Sequence, residues 1–135
     1  MVIYCDGGSR GNPGHAASGF VATIDDEVVY REGKYLGIET NNVAEYNAVL
    51  MALNWIKDSS PVGEVIINLD SQLIERQING QYKVKDAKLI KLHQKVKEIY
   101  ASLKNKPKFI WNYRKDNELA DDIVNEELDS HRDTI

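Results

Sequence analysis

Four places in this 135-residue sequence carry carboxylates that could work together. Asp6 closes the short apolar run Val2-Ile3-Tyr4-Cys5 and is followed by Gly7-Gly8-Ser9-Arg10-Gly11-Asn12-Pro13-Gly14. Asp70 closes a second such run, Glu64-Val65-Ile66-Ile67-Asn68-Leu69; Glu45 opens a long helix-forming stretch, and Asp121-Asp122 sit in the last one. Acids held side by side repel unless a proton or a cation lies between them. With no His or Cys cluster beside them, hard oxygen donors point to Mg²⁺ or Mn²⁺ rather than zinc. Three or four carboxylates around two such ions, roughly 3.5–4 Å apart, form the apparatus of in-line phosphoryl transfer, one ion activating water and the other stabilising the leaving oxygen.

Each acid also has a plainer explanation. Asp-Gly-Gly is an ordinary way to leave a strand. Asn42-x-x-Glu45 is a good capping box, and an early Glu suits the helix dipole. Asp121 and Asp122 both flank the apolar arc Leu119, Ala120, Ile123 and Val124, and periodicity does not choose between them. Competing motifs are absent from the opening loop: it lacks the Gly-Lys-Ser/Thr of a P-loop, the Gly-x-Gly-x-x-Gly of a dinucleotide fold and the alternating acids of a calcium loop. A phosphatase with an aspartate nucleophile usually has a second acid two residues on, where Gly8 stands.

The elements that must position these acids follow from pattern. Residues 2–6 form a strand that delivers Asp6 to a glycine loop. Residues 19–24 and 28–36 form two more, with Asp25-Asp26-Glu27 as a hairpin turn, giving an antiparallel meander. Residues 42–57 lack Gly and Pro and carry apolar stripes through Val43, Tyr46, Leu50, Leu53 and through Ala48, Ala52, Trp55, the pattern of a largely buried helix. A strand over 64–69 leads into Asp70, and a helix over 71–79 is closed by Gly80. The preferred right-handed crossover sets that strand parallel to the first, with both aspartates at one sheet edge. A long helix over 86–103, a strand over 109–113 and a helix over 118–128 complete one α/β domain. The expectation is a five-stranded mixed sheet, antiparallel in its first three strands and parallel thereafter, flanked by helices, over residues 1–129, with a short polar tail over 130–135.

Composition is that of a globular domain, 42% hydrophobic and 28% charged. No apolar run approaches the roughly 20 residues needed to cross a bilayer, and no signal-like segment opens the chain, so a cytoplasmic domain with no membrane partner is expected. Cys5, the lone cysteine, alternates away from Asp6 and reads as a packing thiol. Charge is uneven. Residues 81–108 hold nine lysines and two acids, a local +7 that leaves −11 for the rest of a chain whose net charge is −4. Such a segment is either a solvated helix face or a grip for a polyanion processed elsewhere on the surface.

Taken in order, Asp6-Gly7-Gly8-Ser9-Arg10-Gly11-Asn12-Pro13-Gly14, Thr40-Asn41-Asn42-x-Ala44-Glu45, Asp70-Ser71-Gln72-Leu73 and Arg114-x-x-Asn117-x-x-Ala120-Asp121 resemble the signature of type 1 ribonuclease H across nearly the whole chain. The resemblance implies the ribonuclease H-like fold and an endonuclease that cuts the RNA strand of an RNA–DNA hybrid with two Mg²⁺ or Mn²⁺ ions, leaving a 5′-phosphate and a 3′-hydroxyl. It implies Asp6, Glu45, Asp70 and Asp121 as the catalytic, metal-binding acids, the Ala-Asp pairing selecting Asp121 over Asp122. Gly11, Asn12, Asn41, Asn42 and Gln72 then match substrate contacts in the minor groove, where 2′-hydroxyls distinguish RNA from DNA. Thr40 and the amides opening its helix match a phosphate contact to the DNA strand.

Two departures stand out. Many members carry a histidine six residues before the position of Asn117; here that position is Trp111, and Arg114 is the candidate accessory group in its place. Some members also insert a basic handle after the position of Asn79, whereas this chain runs through Gly80-Gln81-Tyr82-Lys83-Val84-Lys85 straight into the next helix. Lys83 and Lys85 are left as backbone contacts, with weaker and more salt-sensitive substrate binding expected. The expected partner is the hybrid, other RNA-containing duplexes being open, and the expected state a monomer. The alternative is a catalytically weak nucleic-acid-binding module of the same fold.

Overall fold

The computed structural model describes residues 1–111 and 117–132. Strand β1 (Val2–Arg10) lies at the centre of a five-stranded sheet of order β3-β2-β1-β4-β5. Strands β2 (Gly14–Ile24) and β3 (Glu27–Glu39) continue the antiparallel meander, and β4 (Ile66–Leu69) and β5 (Lys108–Trp111) pair parallel on the other side. Between β2 and β3 the chain turns through Asp25 and Asp26, both at positive φ (50° and 65°), as a two-residue hairpin between right-twisted strands requires.

Helices α1 (Asn41–Ser59), α2 (Gln72–Ile78) and α3 (Ala87–Ser102) cover one face. Their buried residues, including Val49, Leu53, Ile74, Leu89 and Val96, form one core with Ile3, Cys5, Phe20 and Ile67 of the sheet. Helix α4 (Glu118–Arg132) packs on β2, β1 and β3, burying Ala120, Ile123, Val124 and Leu128. No described helix is long and apolar enough to cross a membrane.

Several boundaries differ from the sequence expectation for identifiable reasons. β1 does not stop at Asp6: Gly7 to Arg10 stay in register with Ser18 to His15, so the glycine stretch is strand rather than loop. Glycine is needed there for packing, because a Cβ on Gly7 would lie 2.2 Å from the Ala44 carbonyl carbon. α1 begins two residues earlier than a capping box at Asn42 would give. Thr40 is the N-cap, its hydroxyl accepting from the Val43 amide at 3.2 Å, and Glu45 is thereby released from capping and turned inward. Leu119 is 47% exposed instead of joining the buried arc of α4. That helix continues past Leu128 because His131 stacks on Tyr35 with ring centroids 4.1 Å apart. Asn112 and Tyr113, expected to end β5, lie outside the described residues, as does Arg114.

Candidate metal centre

Parallel pairing of β1 with β4 ends at Cys5 and Leu69, so the next residue of each strand, Asp6 and Asp70, emerges at the same level of the sheet. This is the crevice at the carboxyl ends of strands where open α/β sheets bind ligands. Glu45 reaches the crevice from the second turn of α1, held close by the Gly7 contact. One carboxylate oxygen from each of Asp6, Glu45 and Asp70 lies within 4.8 Å of the other two. Asp121 comes from the opposite face on α4 and hydrogen bonds with Asp6; its Oδ2 accepts from Asn125 Nδ2 at 3.4 Å. All four acids line one cleft of about 510 Å³, together with Ser71, Asn41 and Asn42. Asp122 faces a different cavity beside Val28 and Arg31, so the fold separates the two adjacent aspartates that periodicity could not.

Electrostatics mark the cluster as incomplete without positive charge. Asp6 is 6% and Glu45 7% exposed. Burial, then the Asp121 hydrogen bond and the Asp70 charge, push the Asp6 carboxyl up to about 7. Burial and the charges of Asp6 and Asp70 raise Glu45 well above the usual carboxylate range, against the opposing effect of the Gly7 amide. Glu45 Oε2 is buried with no hydrogen-bond partner. Crowded, desolvated carboxylate oxygens with an orphaned acceptor are a donor set for a hard divalent cation, and no sulfur or imidazole competes. The Cys5 thiol, raised by burial, faces away from this cleft and contacts the Ala48 carbonyl at 3.8 Å, as a packing group.

The polar residues singled out in the sequence take distinct positions. Asn12 Oδ1 accepts from the Asn41 amide at 3.1 Å, and Asn41 Oδ1 accepts from the amide and hydroxyl of Ser9 at 2.7 and 3.0 Å. These bonds pin the β1–β2 turn, with Gly11 at φ 91°, against the start of α1. Thr40 caps that helix, while Asn42 is half-buried at the first turn of α1 and Gln72 exposed at the first turn of α2. Lys83 and Lys85 are exposed between α2 and α3 and do not line the cleft. Trp111 donates its indole N–H to the Asp70 carbonyl at 3.2 Å, which fixes the ring at the edge of the crevice.

Three contributors went unassigned in the sequence. Asn117, 2% exposed, donates from Nδ2 to the Cys5 carbonyl at 2.8 Å. Ser18 donates to the Ala44 carbonyl at 2.6 Å, clamping α1 to β2 beside Glu45. Ser71 caps α2 and lines the cleft. Asn117 and Ser71 carried a sequence signal, each standing inside a motif next to or one helical turn from an acid, whereas Ser18 carried none.

A family described as reverse transcriptase-like matches residues 4–127. Among solved structures, LC11-RNase H1, isolated from compost and determined in complex with an RNA/DNA hybrid, is 38% identical over 96% of each chain with a TM-score of 0.90. RNase H1 of the halophilic archaeon Halobacterium salinarum NRC-1 is 35% identical over 96% of this chain and 97% of its own, with a TM-score of 0.87. The bifunctional protein Rv2228c of Mycobacterium tuberculosis is 38% identical over 96% of this chain, which spans only 36% of that protein's length. With a family match over nearly the whole chain and RNase H1 structures at 35–38% identity that superpose over almost their full length, the chain belongs to the type 1 ribonuclease H family.

Proposed function

We propose that this domain is a metal-dependent endoribonuclease that hydrolyses the RNA strand of RNA–DNA hybrids, using two Mg²⁺ or Mn²⁺ ions and leaving 5′-phosphate and 3′-hydroxyl ends. The observation that carries the proposal is the convergence of Asp6, Glu45 and Asp70 within 4.8 Å in a cleft also lined by Asp121. A relative with a closely similar fold, LC11-RNase H1, has been solved with the same class of duplex.

When bound, the metal pair supplies charge stabilisation at the phosphoryl group and activation of the attacking water. Asp6, Glu45 and Asp70 hold it, and Asp121 completes the donor set from α4. Asn12 and Asn41, locked to each other and to Ser9, present the β1–β2 turn to the minor groove, with Gly11 letting the backbone come close. Asn42 and Gln72 contact the groove from helix starts, Thr40 with the first amides of α1 holds a DNA-strand phosphate, and Lys83 and Lys85 meet the backbone. At the position of the missing histidine, Trp111 braces Asp70 through its carbonyl and has no proton to shuttle at neutral pH. Arg114, beside it in sequence, is the proposed accessory group. The domain acts as a monomer in the cytoplasm.

The deciding experiment incubates the protein with end-labelled hybrid, DNA duplex and RNA duplex in Mg²⁺ or Mn²⁺, beside Asp70→Asn. Cleavage confined to RNA strands, lost in the variant and in EDTA, is expected. Hybrid binding without any cleavage in either metal would replace this proposal with a binding module.

A further inference from the structure

A second cavity, larger than the carboxylate cleft, lies at the other end of the sheet. It encloses about 790 Å³ at the amino ends of β4 and β5, the opposite edge of the sheet from Asp70, between the carboxyl-terminal ends of α1 and α3. Its floor is apolar: Ile56, Val65 and Leu103 are 2%, 1% and 4% exposed. Its rim is basic, with Lys57, Lys104, Lys106 and Lys108 against the single acid Glu64. Glu64 pairs with Lys108 at 3.3 Å, and Lys106 donates to the Leu103 carbonyl at 2.8 Å. Lys57 and Lys104 form no ion pair among the described residues. The walls are tied together, because Asn105 Nδ2 donates to the carbonyls of Pro61 and Gly63 at 3.1 and 2.6 Å, joining the loop after α3 to the loop after α1.

A preformed cavity of this size falls in the range of small-molecule sites, which are typically apolar with few polar groups at defined places. The uncompensated ammonium groups at the rim call for negative charge on one end of the occupant, and the apolar wall left open above the buried floor, with Val62 96% exposed, calls for an apolar body on the other. A nucleotide unit has this division, a planar base joined to a phosphate. The cavity also ends the lysine-rich segment that runs along α3, so a strand held on that segment reaches it without crossing the acidic remainder. We propose that this cavity is a second nucleotide site, independent of the carboxylate cleft, that seats the base against Pro61 and Val62 above the buried floor and the phosphate against Lys57 and Lys104. The unit comes either as a free nucleotide or as an unpaired stretch of a nucleic-acid strand.

The test is a titration in EDTA, followed by amide chemical shifts, with ADP, adenosine, pyrophosphate and a five-nucleotide single strand as separate probes. ADP or the oligonucleotide is expected to shift the amides of Ile56, Val65, Leu103 and Asn105, with adenosine and pyrophosphate each at least tenfold weaker. The stronger of the first two identifies the source. Lys57→Glu with Lys104→Glu should weaken binding at least tenfold, while Asp70→Asn leaves it unchanged even though it removes cleavage, which separates this site from the proposed activity. Shifts confined to the Asp6 and Asp70 cleft, equal binding by the double variant, or pyrophosphate binding as tightly as ADP would each overturn the assignment.

Discussion

The side-chain amide of Asn117 donates a 2.8 Å hydrogen bond to the carbonyl of Cys5, a residue 112 positions earlier and immediately before Asp6. This bond fixes the start of α4 to the carboxylate-bearing part of β1, one turn ahead of Asp121. Asn117→Ala leaves that buried carbonyl without its donor and should cost about 1–3 kcal/mol, read from urea denaturation. Hybrid cleavage should fall with it, because Asp121 loses its fixed distance from Asp6. Full activity in a destabilised variant would show that α4 is held by its apolar face alone.

Asp121 and Asp122 are adjacent but face different cavities. Asp121→Asn should reduce the cleavage rate by about 10²-fold or more, in keeping with loss of a carboxylate that would hold the charge-stabilising metal. Asp122→Asn should change it by no more than a few fold. The pair is measured side by side under saturating metal, and equal losses would remove the distinction between them.

A methyl group on Gly7 would collide with the α1 backbone, at 2.2 Å from the Ala44 carbonyl carbon and 2.4 Å from the Glu45 nitrogen. Gly7→Ala should therefore destabilise by about 3 kcal/mol or more and displace Glu45 from the cluster. Gly8→Ala meets only ordinary contacts, 3.9 Å from Asn41 Oδ1 and 4.0 Å from Val124, and should stay within about 1 kcal/mol of the parent. Thermal unfolding of the two variants checks the contrast.

Burial and neighbouring negative charge raise the Asp6 carboxyl from 3.8 to about 7, and Glu45 moves in the same direction. Between those limits the folded protein keeps a proton that the unfolded chain has released. This contribution to the stability of the metal-free protein is therefore largest near pH 4 and is lost as pH rises towards 7. Asp6→Asn should flatten that slope and raise stability in EDTA at pH 7.5 by about 1–3 kcal/mol. Millimolar Mg²⁺ or Mn²⁺ should stabilise the parent at the same pH and the variant much less. Chemical denaturation across pH, with and without metal, measures both effects.

Much of this organisation was legible in local pattern. Alternating β-branched runs give the strands, 3.6-residue stripes give α1 and α3, and the run of four spaced motifs gives the family with its acids. Chain order with a crossover preference even brings Asp6 and Asp70 to one sheet edge. Periodicity could go no further, because it reports which side of an element is apolar and not what stands across from it. It made Glu45 a cap, and the capping belongs to Thr40 once Gly7 lets α1 close on β1. It left Asp121 and Asp122 equivalent, and the seating of Ile123 against Gly19 and Gly33, where a Cβ would come within 2.7 Å, turns one to the carboxylate cleft and the other away. The elevated pKa values, the Asn117 clamp and the lysine-rimmed cavity exist only where distant segments meet. Residue types and their spacing thus fix the available chemistry, whereas contacts across 30 to 110 positions of chain fix which groups share a charge, a proton or a ligand.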